Sequence, residues 1–570
     1  MRNSILLALF GLCPFAGVGQ TATDVIPLTQ SDLKGTARFM SMGGAFGALG
    51  GDLSTLSQNP AGIGVYRSSE LGFTLDLDCQ RSSATSQGFN MTDNQTRFLL
   101  NNIGGVATLR LNNSVLRNFN IGFTYNKGAS FNRRYSGRVP RLDNSLTNYI
   151  AGIANAEDIT VGDVESSSSF DPYNPNDGGY QAPWLAILGY DSYFISPSGS
   201  VDSPTWFGQW DNETSGSGSF SVQEWGGVDE YNIALGGNIS DVFYWGMNFD
   251  IVSVNYTRET YWGENLSNAM IENNGSFSRT DAAWNLHNYY NLNGNGFNYQ
   301  LGFIVKPIQE LRLGFAFHTP TWYNLTESYY ANTSADYSAM REGKVSATTN
   351  NRQLAYDNFS LRTPWKLTAS IAGVIGGRFI LSADYEWQPT HSTRISYPDT
   401  YDYWSGGYDD WDYGYEWDPW YAPSGKGTPR ASRASYYDPY DEVNQDIKDY
   451  YTSTNSLRVG AEFRVTSQFS VRAGYSFVSS PVKERVRNGE QIVATGLNPS
   501  FQLDNTTNYV TCGLGYRYKK FAVDLAYVYK HRSATFHAFT DDPANPSIVS
   551  PNANLSLDNS QIVLSCGLRF

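Results

Sequence analysis

Few residue types in this chain are arranged to make or break bonds. The five histidines, His287, His318, His391, His531 and His537, have no spacing that would hold zinc. The four cysteines, Cys13, Cys79, Cys512 and Cys566, follow neither metal-ligand nor disulfide-framework spacing. No Gly-x-Ser-x-Gly nucleophile elbow occurs. The expectation is therefore a protein without catalytic residues, metal or cofactor. The chemistry left is charge at alternate positions. In 457–465, Leu457, Val459, Ala461, Phe463 and Val465 point one way and Arg458, Gly460, Glu462 and Arg464 the other. Asp384 and Glu386 oppose Phe379, Leu381, Ala383, Tyr385 and Trp387, and Asp524 opposes Phe521, Val523, Leu525 and Tyr527. Further charges on such faces are Asp76, Asp78, Arg110, Asp250, Arg312, Arg378 and Arg472. They can anchor something that fills the space they face, or pair along the wall that carries them.

Period-two segments like these recur fourteen times, near 70–79, 103–111, 118–126, 228–239, 242–256, 296–306, 310–319, 365–375, 378–387, 455–465, 468–478, 507–518, 521–530 and 561–570. Each is long enough to cross a bilayer as a tilted strand. Links after even-numbered segments are short turns such as Asn238-Ile239-Ser240-Asp241, Gly376-Gly377 and Lys519-Lys520; links after odd-numbered ones run from about 20 to about 100 residues. That asymmetry, with one apolar and one charged face per strand, predicts an all-β fold: a transmembrane antiparallel barrel of about 14 strands, apolar face to lipid and charges in the lumen. A charge facing lipid at mid-depth would cost roughly 2–4 kcal/mol for Arg or Lys. A soluble β-sandwich would show balanced connections and a less aromatic outer face.

Composition agrees. The 570 residues include 39 Tyr and 14 Trp but only 16% charged residues, as aromatic membrane girdles require. The mature chain has no apolar run near 18 residues, which excludes helical spans. A net charge of −14 argues against a nucleic-acid partner. Residues 1–19 read as a signal peptide, with Arg2, an apolar stretch from Ile5 to Leu12, and Gly17 and Gly19 before a cleavage at Gln20. Phe10-Gly11-Leu12 lacks the small residue expected beside a lipidated Cys13. Cleavage leaves Cys79, Cys512 and Cys566, the last two on lipid-facing positions. Ile562, Leu564, Leu568 and the terminal aromatic Phe570 share a face, a pattern resembling the signal read by the barrel-assembly machinery.

Residues 20–66 differ: rich in small residues and without alternation. Within them Asn59-Pro60 joins a side chain that caps turns to a residue with fixed φ, and Gly62 and Gly64 allow close backbone approach. This is either a plug element or an ordinary turn into the first strand. Ala37-Arg38-Phe39-Met40-Ser41-Met42-Gly43-Gly44-Ala45-Phe46, then Gly51-Asp52-Leu53-Ser54-Thr55-Leu56-Ser57-Gln58-Asn59-Pro60-Ala61-Gly62, resembles the N-terminal hatch of the FadL/TodX family of outer-membrane transporters for long-chain fatty acids and other hydrophobic compounds. Leu313 to Tyr323, Leu381 to Glu386, and Val471 to Tyr475 resemble members from Bacteroides-like bacteria.

The resemblance implies a signal peptide (1–19), a hatch (20–66) and a Gram-negative outer-membrane barrel (67–570). It implies passive transport of a hydrophobic compound with lateral release beside a kinked strand. Asn59, Pro60, Ala61 and Gly62 would form the gating turn. Asp76, Arg110, Asp250, Arg312, Asp384, Arg458, Glu462, Arg472 and Asp524 would anchor the hatch, or pair along the wall. The expected partners are a hydrophobic small molecule, outer-membrane lipid and the assembly machinery, with the barrel a monomer. The main alternative is a docking or shuttle barrel of a secretion system, like the FadL-like PorV component. A haem-type receptor is another, since many tyrosines make the axial-ligand test uninformative. A barrel phospholipase lacks its motif, and an energised receptor needs a larger plug than about 50 residues. The aromatic and acidic stretch Tyr401–Tyr421 would be a capture lip, a partner site or a folded external cap.

Overall fold

The computed structural model describes residues 21–111, 115–166, 183–273, 276–338, 344–349, 354–398, 440–487, 498–540 and 550–570. The stretch 401–421 and the signal-peptide region lie outside them. Ahead of the sheet come α1 (Ala22–Val25) and α2 (Ala37–Ser41). Fourteen antiparallel strands then close into one barrel. They are β1 (Glu70–Ser86), β2 (Phe89–Arg110), β3 (Leu116–Ser130, resumed at Arg133–Val139), β4 (Ser215–Ile239), β5 (Phe243–Asn273), β6 (Ser276–Ile308) and β7 (Leu311–His318, resumed at Trp322–Tyr337). There follow β8 (Ala355–Arg362 and Lys366–Ile375), β9 (Phe379–Gln388, with Arg394–Ser396), β10 (Thr454–Arg464), β11 (Phe469–Val478), β12 (Phe501–Tyr518), β13 (Phe521–His537) and β14 (Asn552–Arg569). β14 closes the circle along β1, from Arg569 opposite Glu70 to Asn554 opposite Thr85. Each of the fourteen expected segments overlaps one of these strands.

The short connections are tight turns; Ser240 and Asp241 take φ of 55° and 58°. Two of the long connections, between β1 and β2 and between β5 and β6, depart from expectation. β5 and β6 do not open into a loop but continue for 31 and 33 residues, paired from Phe243↔Val305 to Asn273↔Ser276. β1 and β2 likewise stay paired to Ser86↔Phe89. The reason is chemical: past the lipid the outward positions become Asn285, Asn291, Asn293 and Asn295. The apolar alternation fades while the pairing goes on.

Outward side chains in the lower part of the wall are apolar and exposed, among them Leu71, Phe73, Ile121, Phe123, Leu313, Phe315, Leu457, Val459 and Leu564. Aromatic pairs bound this belt. Phe119 sits 6.4 Å from Trp245 on the turn side; Phe297 and Trp322 (5.5 Å) and Trp365 and Trp387 (4.9 Å) mark the hairpin side. Such girdles sit at the two faces of a bilayer. Beyond the upper girdle, α3 (Leu146–Ala156), α4 (Val161–Ser166) and α5 (Trp184–Asp191) pack with Trp206, Trp262, Leu286 and Phe539 into a separate apolar core. Ser145 caps α3 by accepting from the Thr147 N–H. The buried Glu264 carboxylate also accepts there, from the Leu146 N–H at 3.0 Å and Trp262 Nε1 at 2.9 Å.

Candidate functional site: the filled lumen

Residues 21–66 lie inside the barrel. Local chemistry folds them into short turns. Thr36 caps α2, Asp52 caps a 3-10 turn over Leu53–Leu56, and Asn59 Oδ1 accepts from the Ala61 N–H at 3.1 Å with Pro60 in the first helical position. Phe46, Met40, Met42, Leu56 and Ile63 are fully buried. The wall makes room by omitting side chains. A Cβ on Gly246 would overlap the Pro60 carbonyl, one on Gly314 the Gly47 carbonyl, one on Gly460 the Met42 carbonyl, and one on Gly474 the Gly43 amide. Gly236 pairs with Gly246 across β4 and β5, and Gly460 with Gly474 across β10 and β11, so these glycines form a recessed seat. Inward-parity glycines recurring on neighbouring strands are the sequence signal of this seat.

Charges anchor this segment at several points. Lys34 Nζ reaches Asp76 at 2.6 Å, with side chains 2% and 0% exposed, and Asp78 at 3.8 Å. Arg38 pairs with Glu462 at 3.1 Å; Glu462 pairs with Arg472 at 2.8 Å, and Arg472 with Asp524 at 2.6 Å. Asp384 accepts from the Gly47 N–H at 2.9 Å and Gln58 Nε2 at 3.1 Å. Arg312 donates to the Leu49 carbonyl at 2.6 Å. Arg458 instead pairs along the wall, with Glu386 at 3.1 Å. Arg110 sits at the exposed rim and donates to the Arg67 carbonyl. Asp250 accepts from Asn298 at 3.1 Å, wall to wall. Asp24, Asp32, Lys34 and Arg38, charges of the hatch itself, were missed because only strand positions were read for charge; Asp24 pairs with Arg258 at 2.6 Å and Asp32 with Lys530 at 2.5 Å.

Above the hatch lies a cavity of about 220 Å3. Its lining is mixed: Gln58, Gln80, Asp32, Glu230, Asp250, Lys366, Arg458, Lys530 and Asn126 through Ser130 reach it beside Phe39, Phe131, Val252 and Tyr323. His318, which also lines it, holds its Nε2 2.9 Å from the Gln58 carbonyl oxygen. Beside Asn126 the wall loses its ladder. β2 and β3 pair from Arg110↔Asn118 to Asn102↔Asn126 and no further. β2 bulges at Asn101, since Thr74 faces Asn102 and Leu75 faces Leu100; β3 shifts register at Gly128, between Lys127 and Ala129. The hatch lies behind this window: Asn101 Nδ2 donates to Met40 Sδ at 3.5 Å, the Asp32 N–H to the Gly128 carbonyl at 3.1 Å, and Asn126 Nδ2 to Ser57 Oγ at 3.2 Å. Higher up, Ser136 Oγ donates to Asp93 at 2.6 Å and ties the two strands together again.

Fold and lumen thus define a hatch-filled transmembrane β-barrel. No family model matches the chain, and no curated protein does. Among solved structures it is similar to a Pseudomonas aeruginosa FadL homologue, at 14% identity and a TM-score of 0.49, covering 95% of this chain and 99% of that one. It is also similar to the P. putida toluene transporter TodX, at 13% identity and a TM-score of 0.45, and to the CymD monoaromatic hydrocarbon channel, at 10% and 0.42, each over 95% of this chain and 99% of the other.

Proposed function

We propose that this barrel passes a hydrophobic compound, of the long-chain fatty acid kind, across a Gram-negative outer membrane without an energy source. The observation that supports it most is the window between β2 and β3. The cavity runs up to Asn126–Ser130, the ladder stops at Asn102↔Asn126, and the hatch residues Met40 and Ser57 stand behind. A lateral exit keeps an alkyl chain out of water, worth about 0.8 kcal/mol per CH₂. In this reading Asn59-Pro60-Ala61-Gly62 is the gating turn, the tall hairpins face outside, the barrel acts as a monomer in outer-membrane lipid, and β14 is recognised during assembly.

Deleting Asn101 tests it. The bulge puts two consecutive inward residues, Asn101 and Asn102, in one strand, both fully buried. Removing one restores alternation and lets β2 zip further along β3. Uptake of a labelled fatty acid should fall strongly in cells whose barrel still shows heat-modifiable mobility. Unchanged uptake would retire lateral release and favour the docking reading.

A further inference from the structure

Charged side chains around the cavity are almost all matched. Lys34 pairs with Asp76, Lys127 with Asp229, Arg133 with Glu224, Arg458 with Glu386, Lys530 with Asp32, and Arg532 with Asp504. Among the described residues three lining charges form no ion pair: Glu230 on β4, Asp250 on β5 and Lys366 on β8. Asp250 is 1% exposed and leaves one carboxylate oxygen without a partner. Gln58 Oε1 and Gln80 Oε1, also on the lining and 9% and 7% exposed as residues, are unpartnered too. The ladders fix the spacing. Asp250 is opposite Asn298; two residues further along β6, Gln300 is opposite His318 of β7, and His318 is opposite Lys366. Three strand intervals, about 14 Å across the sheet, and a two-residue step along it separate Asp250 from Lys366. Both side chains reach inward and shorten that gap. Asp250 is the buried member of the three, while Glu230 and Lys366 are half-buried; a buried carboxylate short of partners is costly, and a ligand carrying both an ammonium and an acidic group satisfies both signs at once.

We infer that this cavity is a binding site for the zwitterionic head of an amphiphile, its ammonium held by Glu230 and Asp250 and its acidic group by Lys366. This rests on the transport reading and narrows its cargo within the fatty-acid kind, to an alkyl chain whose acidic head also carries an ammonium and binds more tightly than a plain fatty acid. The purified full-length barrel in nanodiscs is titrated with 2-aminododecanoic acid, dodecanoic acid and dodecylamine, and binding is followed by intrinsic tryptophan fluorescence. The amino acid should bind roughly tenfold or more tightly than either single-charge analogue, as expected for one additional charge-assisted contact. Asp250→Asn and, separately, Glu230→Gln should collapse that ratio; Glu230 makes no ion pair whose loss would threaten the fold. Equal affinity for the three probes, or a preference that survives both substitutions, overturns the zwitterion site and leaves hydrophobe transport standing. If none of the three binds, the transport reading itself falls.

Discussion

At the scale of single residues, two positions show how local chemistry shapes this molecule. Gly474 has no side chain, and the Gly43 amide occupies the space one would fill. Gly474→Val should leave strand pairing intact, since valine suits a strand, but push the hatch off the wall. The expected result is a folded, heat-modifiable barrel with raised planar-bilayer conductance; wild-type conductance would show the hatch adapts. Glu264 is buried outside the membrane belt, and burial raises its carboxyl to about 7 despite its contacts with Leu146, Ser145 and Trp262. A carboxyl pKa raised in the folded state adds stability below the unfolded value near 4.5 and loses it as pH climbs towards 7. The span corresponds to roughly 3 kcal/mol. Thermal melts should therefore show the α3 cap weakening from pH 4.5 to 7 in wild type and a flatter profile in Glu264→Gln. Identical profiles would remove Glu264 as the cause. Asn59-Pro60 was legible as a turn from residue type alone, whereas Gly474 was not, because a wall glycine means a recessed seat only once its neighbours across the ladder are known.

Among the elements, the lipid-facing halves of all fourteen strands were readable, because lipid on one side and lumen on the other enforce period two. In β9, Leu381 and Tyr385 are exposed while Asp384 and Glu386 are buried, matching the expected faces. The tall upper hairpins were not readable. Water outside and the packed cap inside allow Asn, Thr and Ser beside aromatics, so no sharp periodicity survives. The bulge at Asn101 was also hidden, since a single extra residue resembles an ordinary lapse in alternation. These upper hairpins should be separable from the membrane wall. Tyr261 and His287 face each other across β5 and β6. Excising 262–286 and closing the hairpin with Asn-Gly, a turn that fits paired strands, should leave an assembled barrel. It should also expose α3 to protease, because Trp262, Glu264, Trp284 and Leu286 no longer cover it. Failure to assemble would place the folding information in the hairpin instead.

For the whole molecule, the question is what the hatch contributes to a wall that is already closed by its own ladder. β1 pairs with both β2 and β14 along nearly its full length, so the ring closes on its own ladder; β3 takes bonds from the hatch at the Gly128 carbonyl and the Ser130 N–H, both to Asp32. Removing 35–62, however, takes away Arg38 from Glu462, the Gly47 N–H and Gln58 amide from Asp384, and the Leu49 carbonyl from Arg312. Glu462 keeps its pair with Arg472, but Asp384 and Arg312 become lumen groups that water must solvate; breaking one side of a buried pair typically costs about 3–5 kcal/mol where water cannot enter. Here water can enter, since the vacated lumen is lined by Asp384, Glu386, Arg458, Glu462 and Arg472. The deletion should therefore yield a barrel that still migrates as a folded species but melts at a lower temperature and conducts ions continuously. Its conductance should fall as salt is lowered and shift selectivity when Glu462→Gln removes one lumen carboxylate. Uptake of a hydrophobe by cells should lose saturation, because a water-filled lumen no longer offers a bounded site. A deletion barrel with neither leak nor altered uptake would mean that the hatch is structural filling, and the window between β2 and β3 would then serve a partner rather than a cargo.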